Sequence, residues 1–174
     1  MNLVLIGYRG TGKSTIGKQL AAELDLQYVC LDDELAVRAG RSIPEIVEAF
    51  SWDYFRDLEE EVVKDYAGRD GQLLDTGGGA ITREANTSRL RENGIVFLLT
   101  ATVEDIVDRI GPDQGRPSLT GSKSFTDEVA EVLREREPLY QQAANFTVDT
   151  SSYAPHEVAQ QIALQFQESM RLSE

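Results

Sequence analysis

Apolar residues gather along this chain into five short runs: LVLI (3–6), QYVCL (27–31), QLLD (72–75), IVFLL (95–99) and NFTV (145–148). Each is too short for an ordinary helix, so each reads as a buried strand, QYVCL the weakest of them. Between the runs the spacing changes. Ile16, Leu20 and Leu24 recur at four-residue intervals, as do Val158, Ile162 and Phe166, which places each trio on one helix face. Ser42 and Glu45 form a capping-box pattern with Pro44 in the first turn. That pattern predicts a helix running from there to Ala67, with Gly68 closing it. Strands alternating with helices predict an α/β fold: a parallel five-stranded sheet with helices on both faces, three layers in all. No linker, repeat or low-complexity tract interrupts the pattern, so residues 1–174 read as one domain. The exception is GPDQGRPSLTGSKS (111–124), too polar and broken for either element, and a loop of that length is expected to serve as a lid.

Composition narrows the class. A chain of 174 residues, 41% hydrophobic, has the size of one domain with a real core. The net charge of −13 argues against nonspecific nucleic-acid binding and requires any anionic ligand to be drawn by local cations. The one cysteine, Cys30, cannot form an internal disulfide, which points to a reducing compartment. The first apolar run begins at the third residue, leaving no room for a targeting segment, and no run approaches membrane-spanning length. A cytoplasmic monomer with small-molecule partners, and with neither nucleic acid nor membrane as partner, is the expectation.

The candidate chemistry begins at GYRGTGKST (7–15), directly after the first predicted strand. Gly7-x4-Gly12-Lys13-Ser14 is the P-loop pattern in its required strand–turn–helix context. Its glycines let backbone N–H groups converge on phosphate oxygens, and the helix start adds its positive dipole end. Gly10, Thr11, Gly12, Lys13, Ser14 and Thr15 are therefore expected to hold ATP, with Lys13 at the β and γ phosphates and Ser14 on Mg²⁺. A P-loop names the nucleotide and leaves the reaction open.

Further along, LDDELAVRAGRSIPEIVEAF, YFRDLEEEVV, LLDTGGGAI, GRPSL and REREPLY follow LIGYRGTGKSTIGKQLA in order. Together these segments, spanning about residues 3–165, resemble the shikimate kinase family. The resemblance implies a P-loop NTPase fold of the nucleoside-monophosphate-kinase type, with a substrate-binding helical region at about 32–67 and a lid at about 111–124. It implies ATP-dependent phosphorylation of the 3-hydroxyl of shikimate, on the route to chorismate and aromatic amino acids. Rival readings are a kinase for another small hydroxy acid or sugar acid such as gluconate, and an ATP-binding regulatory module without catalysis.

Site residues follow from residues and resemblance together. Asp32, just past the second strand, reads on its own either as an acid favoured by a helix N-terminus or as the group that orients an alcohol. The resemblance assigns it the substrate hydroxyl. Arg56 and Arg136 read alone as surface ion-pair partners, Arg56 having Glu59 and Glu60 three and four residues on. The resemblance makes both of them clamps on the shikimate carboxylate, to which a guanidinium can fork. Gly78 and Gly79, in the triplet 77–79, offer close backbone approach to the substrate. Arg116, in the lid, is assigned the transferring phosphoryl group and the nucleotide. Arg109 and Pro155 are assigned the adenine side. His156 receives no role.

Five departures from the family pattern stand out. Cys30 replaces the usual aspartate near the Mg²⁺ water shell, and a thiol suits a hard cation poorly. Asp75 stands where the family often has a small residue, at a strand end that matches a Walker B carboxylate, so Asp75 joins Ser14 as a candidate metal residue. Ser51-Trp52 replaces a common Gly-Glu, with Trp52 expected as a core filler and the glycine's bend lost. RPSL stands for RPLL in the lid, and Tyr153 for a basic residue.

Overall fold

A computed structural model describes residues 1–111 and 124–172. β1 (Asn2–Ile6) leads through the glycine-rich turn to α1 (Lys13–Glu23), then β2 (Gln27–Cys30) and three helices, α2 (Leu31–Ala39), α3 (Ile43–Ala49) and α4 (Trp52–Ala67). β3 (Gln72–Asp75), a 3₁₀ turn (Ala80–Thr82), α5 (Glu84–Glu92), β4 (Gly94–Thr100) and α6 (Val103–Ile110) follow. Beyond residue 123 come α7 (Phe125–Ala143), β5 (Phe146–Asp149) and α8 (Pro155–Leu172).

The strands lie in the order β2-β3-β1-β4-β5, every neighbouring pair parallel. β1 is the centre, and all five of its residues are buried. Its side chains alternate between the two faces, as the pleat requires. Leu3 and Leu5 pack with Ile16 and Leu20 of α1 and with Val158, Ile162 and Phe166 of α8. Val4 and Ile6 pack on the other face with Leu35, Ile46, Phe55, Val62, Leu90 and Tyr140, drawn from α2, α3, α4, α5 and α7. The two apolar trios of the sequence therefore do cover one face of the sheet together. Among the described residues no helix is long and apolar enough to cross a membrane.

The structure corrects two boundaries. The helix expected from residue 43 to Ala67 is two helices. Ser42 makes its capping box, accepting from the Glu45 N–H while its own N–H donates to the Glu45 carboxylate at 2.8 Å. The chain then breaks at Phe50, and Ser51 caps a second helix by accepting from the Tyr54 N–H at 3.1 Å. The break leaves first-turn N–H groups that a continuous helix would have paired internally, and Ser51 supplies the acceptor for one of them. At the other boundary, Leu31 does not extend the second strand. Cys30 keeps extended dihedrals as N-cap of α2, and Leu31 is already helical.

Candidate active site

Parallel strands aim their carboxyl ends at one edge of the sheet, and the turns after β1, β2 and β3 meet there. The turn after β1 is shaped by glycine. Gly7 has φ +141, and a Cβ on it would stand 2.4 Å from the Leu99 carbonyl oxygen of β4. Gly10 and Gly12 take left-handed dihedrals, φ +80 and +93, that other residues resist. Thr11 is buried and donates to the Tyr8 carbonyl at 2.8 Å, tying the loop back on itself. No side chain caps α1, so its first-turn N–H groups are left to a ligand. The Lys13 ammonium curls under the loop onto the carbonyls of Gly7 (2.9 Å) and Tyr8 (3.0 Å).

Below this turn runs an open groove of about 1490 Å³. Gly10, Gly12, Lys13, Ser14, Thr15, Arg109 and Asp75 all line it, with Arg9 and Lys18 adding positive charge. Four cations thus face the three carboxylates of Asp32, Asp33 and Asp75, a local positive balance in a chain of net −13. A side slot of about 480 Å³ opens beside it, lined by Thr11, Thr15, Arg109, Tyr153 and Pro155. The Arg109 guanidinium is fixed there by the Thr150 hydroxyl (3.0 Å) and carbonyl (2.8 Å).

A second cavity, of about 520 Å³, adjoins the groove. Arg56, Glu59 and Phe55 reach it from α4, Asp32 from the first turn of α2, Arg136 from α7, and Gly77, Gly78 and Gly79 from the turn after β3. Its three guanidinium groups, Arg9, Arg56 and Arg136, face two carboxylates, Asp32 and Glu59, so a small anion is favoured. Arg56 pairs with the buried Glu59 carboxylate three residues on, and its guanidinium lies 4.9 Å from the Phe55 ring centre. Burial pushes the Glu59 carboxyl above its ordinary pKa, and the Arg56 charge pulls it part of the way back.

Each glycine of the triplet lies against a different neighbour. A Cβ at residue 77 would stand 2.6 Å from an Asp32 oxygen, at 78 it would meet the backbone of Arg9 and Gly7, and at 79 it would overlap the Arg56 guanidinium at 2.1 Å. The Gly78 carbonyl accepts from Arg136 (3.1 Å) and from the Tyr140 hydroxyl. Asp32, Gly78 and Arg9 line both the cavity and the groove, so the two spaces meet at these residues.

The donor set suits Mg²⁺. Ser14 donates its hydroxyl proton to Asp75 Oδ2 at 2.6 Å, which leaves the serine oxygen's lone pairs for a cation. Among the described residues no group of three or more His, Cys, Asp or Glu side chains could enclose a metal, and Mg²⁺ needs none, since it takes one or two protein oxygens plus phosphates and waters. Cys30 pairs in register with Asp75, and burial above all pushes its thiol up to about 12, so it stays neutral and is a poor ligand. Arg116 lies outside the described residues, as does the body of the expected lid.

Comparisons with known proteins agree with this arrangement. The family model described as shikimate kinase matches residues 9–167. The chain belongs to the shikimate kinase family. It is 44% identical over 163 residues to the shikimate kinase 2 of Enterobacter sp. (strain 638), covering 92% of both chains. It is 44% identical over 147 residues to the shikimate kinase of Nitratidesulfovibrio vulgaris, covering 83% of each. A solved shikimate kinase from Acinetobacter baumannii, in complex with shikimate, superposes with a TM-score of 0.91 at 35% identity, over 98% of this chain and 94% of that one.

Three residues of the site have no role marked by the motif pattern. Arg9 occupies a variable P-loop position, and only the fold shows that it borders both spaces, 3.6 Å from Glu128 and against the Phe125 ring. Tyr140 was signalled as the last letter of REREPLY, but its contact with the Gly78 carbonyl crosses 62 residues. Tyr28 donates to Asp75 at 2.7 Å across neighbouring strands, a pairing that needs the register. Trp52, expected as core filler, is half-buried and walls the second cavity, edge-on to Phe55 at 5.6 Å. His156 is exposed on α8.

Proposed function

We propose that this chain transfers the γ-phosphoryl group of ATP to the 3-hydroxyl of shikimate, giving shikimate 3-phosphate and ADP. The observation that carries the reading is the junction: a cavity with three guanidinium groups opens onto a P-loop groove at Asp32 and Gly78. ATP lies along Gly10, Thr11, Gly12, Lys13, Ser14 and Thr15, with its base toward the slot of Arg109, Tyr153 and Pro155. Arg56 and Arg136 take the shikimate carboxylate, and Gly78 and Gly79 let the ring approach the backbone. Residues 32–67 supply the acceptor wall, and the segment around Arg116 serves as lid, its guanidinium offsetting charge on the transferring group.

Asp32 orients the 3-hydroxyl and accepts its proton as the oxygen bonds to the γ phosphorus. The bond from that phosphorus to the β–γ bridging oxygen breaks, and the electron pair leaves on ADP. Lys13 turns from the loop carbonyls toward the phosphates and neutralises the charge gathering between them. Ser14 and Asp75 would hold Mg²⁺, which would supply positive charge to offset that of the phosphates. Such a protein works as a cytoplasmic monomer on small molecules. Replacing Asp32 tests the assignment. Asp32→Asn keeps the shape and loses the base, so kcat for shikimate-dependent ADP release should fall about 10²- to 10⁴-fold while ATP affinity holds. An unchanged kcat removes Asp32 from the chemistry.

A further inference from the structure

The Asp75 carboxylate does not stand alone at the end of β3. Two hydroxyl groups converge on one of its oxygens: Ser14 Oγ at 2.6 Å from α1, and Tyr28 OH at 2.7 Å from the adjacent strand β2. Both are donors, so Oδ2 is fully engaged, and no described residue donates to Oδ1. Asp75 is 3% exposed, yet it borders the phosphate groove together with Tyr28 and Ser14. A carboxylate turned by two donors in this way has one orientation in which Oδ1 is its remaining acceptor.

The Tyr28 ring is itself built into place. It packs over α1 at Gly17, where a Cβ would come within 3.1 Å of the ring edge, and the Lys18 ammonium lies 5.8 Å from the ring centre. Gly17 is an ordinary helical position whose lack of a side chain makes room for this ring. β2 carries Cys30 opposite Asp75 and Tyr28 two residues earlier, on the same strand face. One strand thus presents a thiol unsuited to Mg²⁺ and a phenol that steadies the carboxylate next door.

We infer that Tyr28 is a positioning residue for the metal step: by donating to Asp75 Oδ2 beside Ser14, it fixes the carboxylate so that Oδ1 faces the water shell of the nucleotide-bound Mg²⁺. The inference rests on Asp75 being the metal-side carboxylate in the proposed function. Partners of this kind, acting one bond removed from a metal, typically change metal affinity 10- to 100-fold when lost. Because Oδ2 keeps the Ser14 bond, the loss here sits at about the low end of that range.

The test reads metal binding directly. Mn²⁺ binding to the ADP complex is titrated by electron paramagnetic resonance for wild type, Tyr28→Phe and Asp75→Ala. Tyr28→Phe keeps the ring over Gly17, and far-ultraviolet circular dichroism verifies the fold of each variant. Tyr28→Phe should weaken Mn²⁺ binding about 10-fold, and the Mg²⁺ concentration for half-maximal activity should rise in step while kcat at saturating Mg²⁺ recovers. Asp75→Ala should weaken binding more. If Asp75→Ala weakens Mn²⁺ and Tyr28→Phe leaves it at the wild-type value, the inference about Tyr28 is wrong and the metal assignment stands. If neither variant alters Mn²⁺ binding, the metal assignment itself falls, and Tyr28 with it. A Tyr28→Phe enzyme whose kcat stays low at saturating Mg²⁺, with Mn²⁺ binding unchanged, marks a merely structural role and also overturns the inference.

Discussion

The phosphate groove and the acceptor cavity share a wall but come from opposite kinds of sequence. The groove's P-loop end is built by one unbroken stretch, Gly7 to Thr15, whose shape comes from backbone dihedrals. The cavity takes its lining from α2, α3, α4, α7 and two loops, 128 residues apart from Tyr8 to Arg136. A backbone site depends on local dihedrals, and glycine spacing records those in the sequence. A side-chain site depends on how helices dock, and little in any one helix records that. The groove therefore explains itself from nine residues, whereas the cavity makes sense only once the sheet has gathered its parts.

If the two are energetically separate, substitutions in the cavity should leave the nucleotide untouched. Among the residues that grip the acceptor rather than accept its proton, the largest effect is expected at the two arginines. Arg136→Ala and Arg56→Ala should each raise the shikimate KM by about 30-fold or more, as for loss of a charge-paired contact, with the ATP KM near wild type. The two should then diverge in stability. Arg56→Ala strands the buried Glu59 carboxylate, whose side chain is 4% exposed, and should cost about 3–5 kcal/mol in urea unfolding. Arg136→Ala should cost far less. A rise in the ATP KM of the same size would show the two sites to be one energetic unit.

A smaller effect sharpens the same contrast at the glycine triplet. Gly79→Ala places a methyl group 2.1 Å from the present Arg56 guanidinium, which must shift, whereas at Gly78 the nearest atoms are 3.3 and 3.4 Å away. Gly79→Ala should therefore raise the shikimate KM about 10-fold through Arg56, with Gly78→Ala milder. Steady-state kinetics that ranked Gly78 as the more sensitive would mean that the Arg56 clamp is not what the triplet protects. Smallest of all, Ser51→Ala removes the cap of α4 and should lower stability by about 1 kcal/mol with kcat unchanged, read from chemical denaturation beside the assay.

The same contrast governs how much could be read from the chain alone. The parallel five-stranded sheet was legible because buried strands are short apolar runs, and all five are bounded to within about one residue of the prediction at each end. The separation of α3 from α4 was not, since Ser51 sits in helix-compatible surroundings and only its extended backbone reveals the cap. Asp32, Arg56 and Arg136 are separated by 24 and 80 residues; the two arginines each read alone as surface ion-pair partners, and Asp32 reads equally as a helix-N-terminal acid or an alcohol-orienting group. Their convergence needed either the family pattern or the fold. Arg9 shows the limit most plainly, because its own motif treats its position as arbitrary while the structure sets it between the two spaces.

Acceptor choice is the most direct test of the central claim, that a carboxylate-gripping cavity meets a phosphate groove at Asp32. Purified protein with ATP and Mg²⁺ is assayed for ADP release with shikimate and, in parallel, with gluconate at the same concentration. Sustained, saturable ADP release with shikimate and only background with gluconate is the predicted result. Turnover of gluconate with none of shikimate would contradict the account.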